Sequence, residues 1–399
     1  MYLQSVNKYI SMKLLSANIK NFKSLGDVDL KFEDLTIVVG SNASGKSNLL
    51  EALRYLHLFL EKGVPPSEIM QRILRVGGNN TIDFTLSVKD EKKQAQYNVS
   101  ILNNLEDIYF SRESLNVGKF SVIDVIDSEG KVRDENGRNP QPYKSKAGGL
   151  ALRSAGDFGN KPFTSKLADF IRKWEFYDLD PELMRREVSI IFDSQVINLS
   201  RKISPSLGNR GTEIQEILKY WAETDEAKFQ TLNQELHDCM GMNIKLINEE
   251  EETIVKVIEQ GGLEVPLSGM SDGTLRMIAY CTLLHQSEIP PLIGIEEPER
   301  NLHPRILKDV ASILKKLSQK TQVVITTHSS QLLDCFSVDD VSCTVSVLLL
   351  SKKVGSGTRA FTLNELKENS EGLSEWMSDF GVGSAIYHSN LLQEILENE

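Results

Sequence analysis

The chain opens on three short apolar runs, residues 13–22, 28–32 and 35–39, punctuated by Asn21, Gly26 and Asp34, which favour turns. They predict three strands, the third running straight into a glycine-containing loop. Behind that loop Leu49, Leu50, Leu53, Leu56 and Leu60 recur at helical spacing, which predicts an amphipathic helix over 48–61. The order is strand, loop, helix. Apolar and polar residues alternate over 81–88 and 97–102, and again over 120–126, predicting an antiparallel β layer. Residues 127–160, crowded with Gly, Ser, Asn, Pro and charge, read as a long mobile loop or linker.

From Thr164 the period becomes helical, and helices are predicted over 167–174, 213–224 and 228–240, forming a small helical lobe. Sustained heptads are absent, so no long coiled-coil arm is expected. The last third alternates: helix over 274–286, strand over 292–295, helix over 305–317, strand over 322–326. Such alternation implies parallel βαβ units, and the fold class is α/β. A strand-like run at 345–350 and a helix-like tail follow, and Asp339 and Asp340 read as a solvated loop.

Composition narrows the classes. With 40% apolar and 25% charged residues the chain is an ordinary globular protein, and its 399 residues allow two domains or one large unit with an insertion. No run approaches the roughly 18 apolar residues of a membrane span, and the start lacks a signal core, so a cytoplasmic protein without membrane contact is expected. Cys239, Cys281, Cys335 and Cys343 show no CxxC spacing and read as buried thiols in a reducing compartment. A net charge of −11 argues against a uniformly basic nucleic-acid binder. Residues 131–210 nevertheless hold 15 Lys and Arg against 10 Asp and Glu, whereas 211–270 hold 4 against 13.

The chemistry begins at Gly40, Ser41, Asn42, Ala43, Ser44, Gly45, Lys46 and Ser47, which match G-x-x-x-x-G-K-[ST] without a gap. In that pattern glycines let successive backbone N–H groups converge on phosphate oxygens, Lys46 reaches the β and γ phosphates, and the Ser47 hydroxyl ligates Mg²⁺. Downstream, the apolar run Pro291 to Ile295 ends in Glu296, Glu297, Pro298 and Glu299. Alone this is an acidic turn; with a phosphate loop upstream, Glu296 is assigned to magnesium and Glu297 to the attacking water.

His328 follows the strand at 322–326, at the edge where open α/β sheets bind ligands, placed to donate to a γ phosphate. An isolated histidine there is more often structural; its company decides the reading. Ser271, Asp272, Gly273 and Thr274 precede a helix and form either a second phosphate-binding element or an ordinary N-cap.

This order of motifs resembles the ABC ATPase set of Walker A, signature, Walker B and H-loop. Residues Ala17 to Ser24 look like the first strand and turn of SMC and RecF proteins, and Glu296-Glu297-Pro298-Glu299 with Asn301-Leu302-His303-Pro304 looks like the OLD branch. The resemblance covers residues 12–60 and 262–335. It implies an ABC-type nucleotide-binding domain with an antiparallel β layer and a helical lobe insertion. The core halves would be 1–130 and 261–399, with the insert at 131–260.

The same resemblance implies ATP and Mg²⁺ as cofactors. It adds Asn21, Phe22, Lys23, Asn48, Ser271 and Gly273 to the phosphate loop as nucleotide-binding residues, and makes Lys46, Glu297 and His328 catalytic. Two protomers would sandwich ATP in a dimer or higher oligomer. Glu296 stands where transporters use Asp, and Ser271-Asp272-Gly273-Thr274 replaces LSGGQ; both fit the OLD-like branch. The Q-loop glutamine stays open, because Gln71 lies ahead of the strand it is expected to follow.

OLD proteins carry a TOPRIM nuclease domain after the ATPase, whereas about 70 residues follow His328 here. The expectation is a stand-alone ATPase gating a separately encoded nuclease or toxin, as resembling phage-defence ATPases do. The alternative is a RecF-like clamp that holds DNA through Lys144, Lys146, Arg153, Lys161, Lys166, Arg172 and Lys173.

Overall fold

A computed structural model describes residues 12–104, 107–145, 148–157, 159–186, 205–249, 252–353, 357–369 and 372–388. The chain forms two compact units, one of Met1–Phe176, Pro290–Glu296 and Ser318–Glu399, the other of Tyr177–Ile289 and Glu297–Leu317.

In the first unit the apolar, β-branched strand Leu35–Gly40 is buried on both faces, as a central parallel strand must be. Its six-stranded sheet runs in the order Glu175–Tyr177, Leu292–Glu296, Gln322–Thr326, Leu35–Gly40, Val345–Lys353, Gly357–Thr362. The four middle strands are parallel, with Glu296 opposite Thr326, Thr326 opposite Val38, and Gly40 opposite Leu350. Glu296, Thr326 and Gly40 therefore end on one edge, the C-terminal edge of the sheet.

An antiparallel eight-stranded sheet completes the unit, in the order Leu25–Lys31, Met12–Phe22, Thr81–Asp90, Gln94–Asn103, Ile108–Val117, Phe120–Ile126, Glu129–Val132, Gln141–Lys144. Helix Lys46–Lys62 buries Leu49, Leu50, Leu53, Leu56 and Leu60 in an apolar cluster that also takes Ile19, Phe22, Phe84, Leu292 and Val324. Each such leucine contributes about 1.5–3 kcal/mol of transfer free energy, so the leucine stripe fixes the helix that follows the phosphate loop.

Residues 127–160 do not form a free linker. Glu129–Val132 and Gln141–Lys144 extend the antiparallel sheet at its edge, and Leu152–Ala155 is a short helix. Polar edge strands hide from a hydrophobic pattern because one face and one side meet water. The stretch 131–176, expected in the helical lobe, folds with the first unit. Asp339 and Asp340 lie in the helix Val338–Cys343, closed by a capping box between Ser337 and Asp340, and not in a loop.

The second unit packs the helices Ile214–Thr224, Glu226–Met240, Asp272–His285 and Leu307–Ser318 with an antiparallel sheet of Asn243–Glu249, Glu252–Ile258 and Glu264–Pro266. Asp225 caps one helix by accepting from the Lys228 N–H at 3.1 Å, and Gly241 ends it at φ 66°. Cys281 is buried, but Cys239 and Cys335 are half-exposed and Cys343 is exposed, so the thiols are not all core residues. Among the described residues no helix is long and apolar enough to cross a membrane.

Candidate nucleotide-binding site

The phosphate loop leaves the sheet at Gly40 and enters its helix at Lys46. Two glycines are required by space as well as by angle. A Cβ on Gly40 would meet the Leu350 carbonyl at 2.3 Å, and one on Gly45, at φ 109°, would meet Thr358 Oγ1 at 2.6 Å and Ser24 Oγ at 2.7 Å. Ala43 also adopts a left-handed angle, φ 62°. Lys46 is buried, and its ammonium donates to the carbonyls of Gly40 at 2.8 Å and Ser41 at 3.0 Å. Ser44 Oγ is buried without a partner, whereas Ser41, Asn42 and Ser47 are exposed.

Ser47 Oγ donates to Glu296 Oε1, which brings the two expected magnesium ligands together in the first unit. A hydroxyl and a carboxylate oxygen form a hard donor pair of the kind Mg²⁺ takes. His328 is exposed, two residues past Thr326, while Thr327 is anchored by its N–H to the Val38 carbonyl at 3.0 Å. The P-loop, Glu296 and His328 thus share one sheet edge.

Asn21 and Lys23 sit at left-handed angles of 57° and 48° around Phe22. Asn21 O accepts from Arg75 N at 3.0 Å and Lys23 N donates to Ile73 O at 2.7 Å, so this turn clamps the segment after helix Ser67–Ile73. The Phe22 side chain is fully buried against Tyr55 and Phe84, leaving only its backbone toward any ligand. Lys23 pairs with Glu51, and Asn48 donates to Ser24 Oγ at 2.8 Å. Gln71 lies exposed on the helix, ahead of Thr81–Asp90.

Sequence reading missed two contributors. A groove of about 390 Å³ beside Ser24 is lined by Lys23, Arg72, Arg75 and Lys352, with Val76 98% exposed at its side. Thr358 touches the phosphate loop from a strand 314 residues beyond Ser44. No local motif announces either.

Within the second unit Glu297 holds φ 45°, and its Oε2 lies 3.2 Å from Arg300 Nε. Ser271 is the N-cap of Asp272–His285, accepting from Thr274 N at 3.2 Å. Arg185 Nη2 donates to the Met270 carbonyl at 3.0 Å and pairs with Asp272; that bond, joined by one from Asn301 at 3.1 Å, holds the Asp272 carboxyl below its ordinary range. Gly273 is required by Asn301, whose carbonyl a Cβ would meet at 2.9 Å.

Three of the seven cations expected to meet DNA face carboxylates within the chain, while Arg153, Lys166 and Lys173 are exposed. Lys144 pairs with Glu129 at 2.5 Å, and Arg172 with Glu61 at 3.3 Å and Asp169 at 3.6 Å, its Nη2 donating to the Arg153 carbonyl. Lys161 is buried 4.0 Å from Asp134. Lys146 lies outside the described residues.

Comparison with known proteins agrees with this geometry. Over 361 residues the chain is 24% identical to the Old nuclease of Escherichia phage P2, covering 81% of this chain and 58% of that protein. Over 382 residues it is 22% identical to the retron Ec83 probable ATPase of Escherichia coli, covering 81% of this chain and 68% of that one. The solved SMC head bound to the C-winged helix domain of ScpA matches in fold with a TM-score of 0.55 at 16% identity, over 88% of this chain and 97% of that one. The chain is thus similar to OLD-like and retron ATPase relatives and shares the α/β fold of an SMC head. A family model matches residues 35–334, and the chain belongs to that family, described as AAA domain, putative AbiEii toxin, Type IV TA system.

Proposed function

We propose that this ATPase works as a nucleotide-driven switch, two protomers closing on ATP to gate a separately encoded nuclease or toxin in defence against phage. The observation that carries the reading is the sheet edge that gathers the phosphate loop, Glu296 and His328. Lys46 would bind the β and γ phosphates, exchanging the carbonyls of Gly40 and Ser41 for charged oxygens. Ser47 and Glu296 would hold Mg²⁺, which supplies charge neutralisation across those phosphates. Glu297 would orient the attacking water and His328 donate to the γ phosphate. In the closed dimer the helix start at Ser271 and Gly273 would face the partner's nucleotide.

The effector is read as a nuclease or toxin because one relative is named a nuclease and the family description names a toxin. A RecF-like clamp on DNA has less support, since Lys144, Lys161 and Arg172 already face carboxylates.

Steady-state hydrolysis by the full chain and its Glu297→Gln variant, with native mass in ATP and with duplex DNA, tests the reading. Hydrolysis lost in the variant, with an ATP-stabilised assembly holding two copies and a second polypeptide, is expected. DNA-stimulated hydrolysis with no partner polypeptide would replace the switch by the clamp.

A further inference from the structure

Thr358 lies at the start of the strand Gly357–Thr362, is 1% exposed, and carries one hydroxyl proton. That proton goes to the Ser44 carbonyl, 2.8 Å away, because a carbonyl can only accept. The same hydroxyl is shared with Ser24 Oγ, which accepts at 3.0 Å. Ser24 Oγ in turn accepts from Asn48 Nδ2 at 2.8 Å. These contacts form a relay that ties Asn48, Ser24 and Thr358 to the phosphate-loop carbonyl. The backbone reinforces it, with Thr358 N donating to the Ser24 carbonyl at 3.0 Å.

The relay ends on the peptide that joins Ser44 to Gly45. In a planar trans peptide the C=O and N–H point opposite ways, so holding the Ser44 carbonyl sets where the Gly45 N–H aims. Gly45 needs that hold, since φ 109° lies in a region only glycine visits freely, and glycine has a wide choice of alternatives. Backbone N–H direction is the means by which such a loop recognises phosphate.

We propose that Thr358 is a positioning residue for ATP turnover, fixing the Ser44–Gly45 peptide of the phosphate loop from the C-terminal strand. Thr358→Val keeps the side-chain volume and removes the donor; Thr358→Ser keeps the donor and removes a methyl. With Mg²⁺ present, the valine variant should raise KM for ATP and the Kd of a non-hydrolysable ATP analogue by about tenfold, the usual effect of orphaning a buried acceptor. Its kcat should change less than KM, and the serine variant should stay within about twofold of the parent.

A valine variant with the parent's KM and Kd, or a serine variant as impaired as the valine, would overturn the assignment. Should the valine variant fail to fold, Thr358→Ala carries the test, because it removes the same donor without placing a methyl against the Ser44 carbonyl. A rise in KM of about threefold supports the relay. An unchanged KM sinks it.

Discussion

Lys46 and Glu297 show how differently two charged residues of one site are held. The Lys46 ammonium, 5% exposed, has exchanged water for the Gly40 and Ser41 carbonyls, and a phosphate offers it charged oxygens in their place. Lys46→Ala should therefore weaken ATP binding at least about tenfold, as loss of a charge-assisted hydrogen bond implies, in a titration with a fluorescent nucleotide. Binding within twofold of the parent would show that the lysine is not a phosphate ligand. Glu297 instead stands at φ 45°, a conformation that costs a non-glycine residue about 1–2 kcal/mol and that marks sites held for chemistry. Glu297→Gln keeps shape and angle while removing the base. It should lower kcat by about 10²- to 10⁴-fold and leave nucleotide affinity nearly unchanged, measured by single-turnover hydrolysis beside equilibrium binding.

The strand Ile108–Val117 and the short helix Leu152–Ala155 are joined by one buried carboxylate. Glu113, 2% exposed, accepts from Leu152 N at 2.8 Å, from Ala151 N, and from the Tyr97 hydroxyl at 2.9 Å. Burial pushes its pKa up to about 7 although these three bonds pull the other way. The folded state thus holds a proton that the unfolded chain releases near pH 4.5, so this carboxyl's contribution to stability declines as pH rises from about 4.5 to 7. Glu113→Gln cannot titrate. The gap in unfolding midpoint between parent and variant should narrow from pH 5 to pH 8, and a gap that widens would show the carboxylate form to be the stabilising one.

Glu113 also explains why its strand escaped the sequence reading: a charged residue at an inward position breaks the alternation that marks a strand. Runs that are buried on both faces, such as Gln322–Thr326, or cleanly alternating, such as Thr81–Asp90, are legible because burial writes directly into composition. The sheet of Asn243–Glu249, Glu252–Ile258 and Glu264–Pro266 is not, since Lys245, Asn248 and Glu264 face water. Gly40 to Ser47 could be read from local spacing alone, whereas Thr358 reaches the loop, and Arg75 the Ser24 carbonyl, by tertiary contact with no local signature.

At the scale of the whole molecule, charge decides between the two roles considered. A duplex is gripped by cations that release its counterions, and each phosphate neutralised steepens the fall of affinity with salt. Here the net charge is −11, and Lys144, Lys161 and Arg172 spend their charge on Glu129, Asp134, Glu61 and Asp169. Those pairs must break before a phosphate can take their place, and exposed pairs break cheaply, at about 0–1 kcal/mol, while Lys161 is too buried to turn outward. The expected outcome of a titration of duplex DNA from about 50 to 200 mM salt is binding no tighter than about micromolar, with a slope equivalent to about three phosphates or fewer. A slope equivalent to about six or more would mean that cations elsewhere form a continuous track, and would return the DNA clamp to first place.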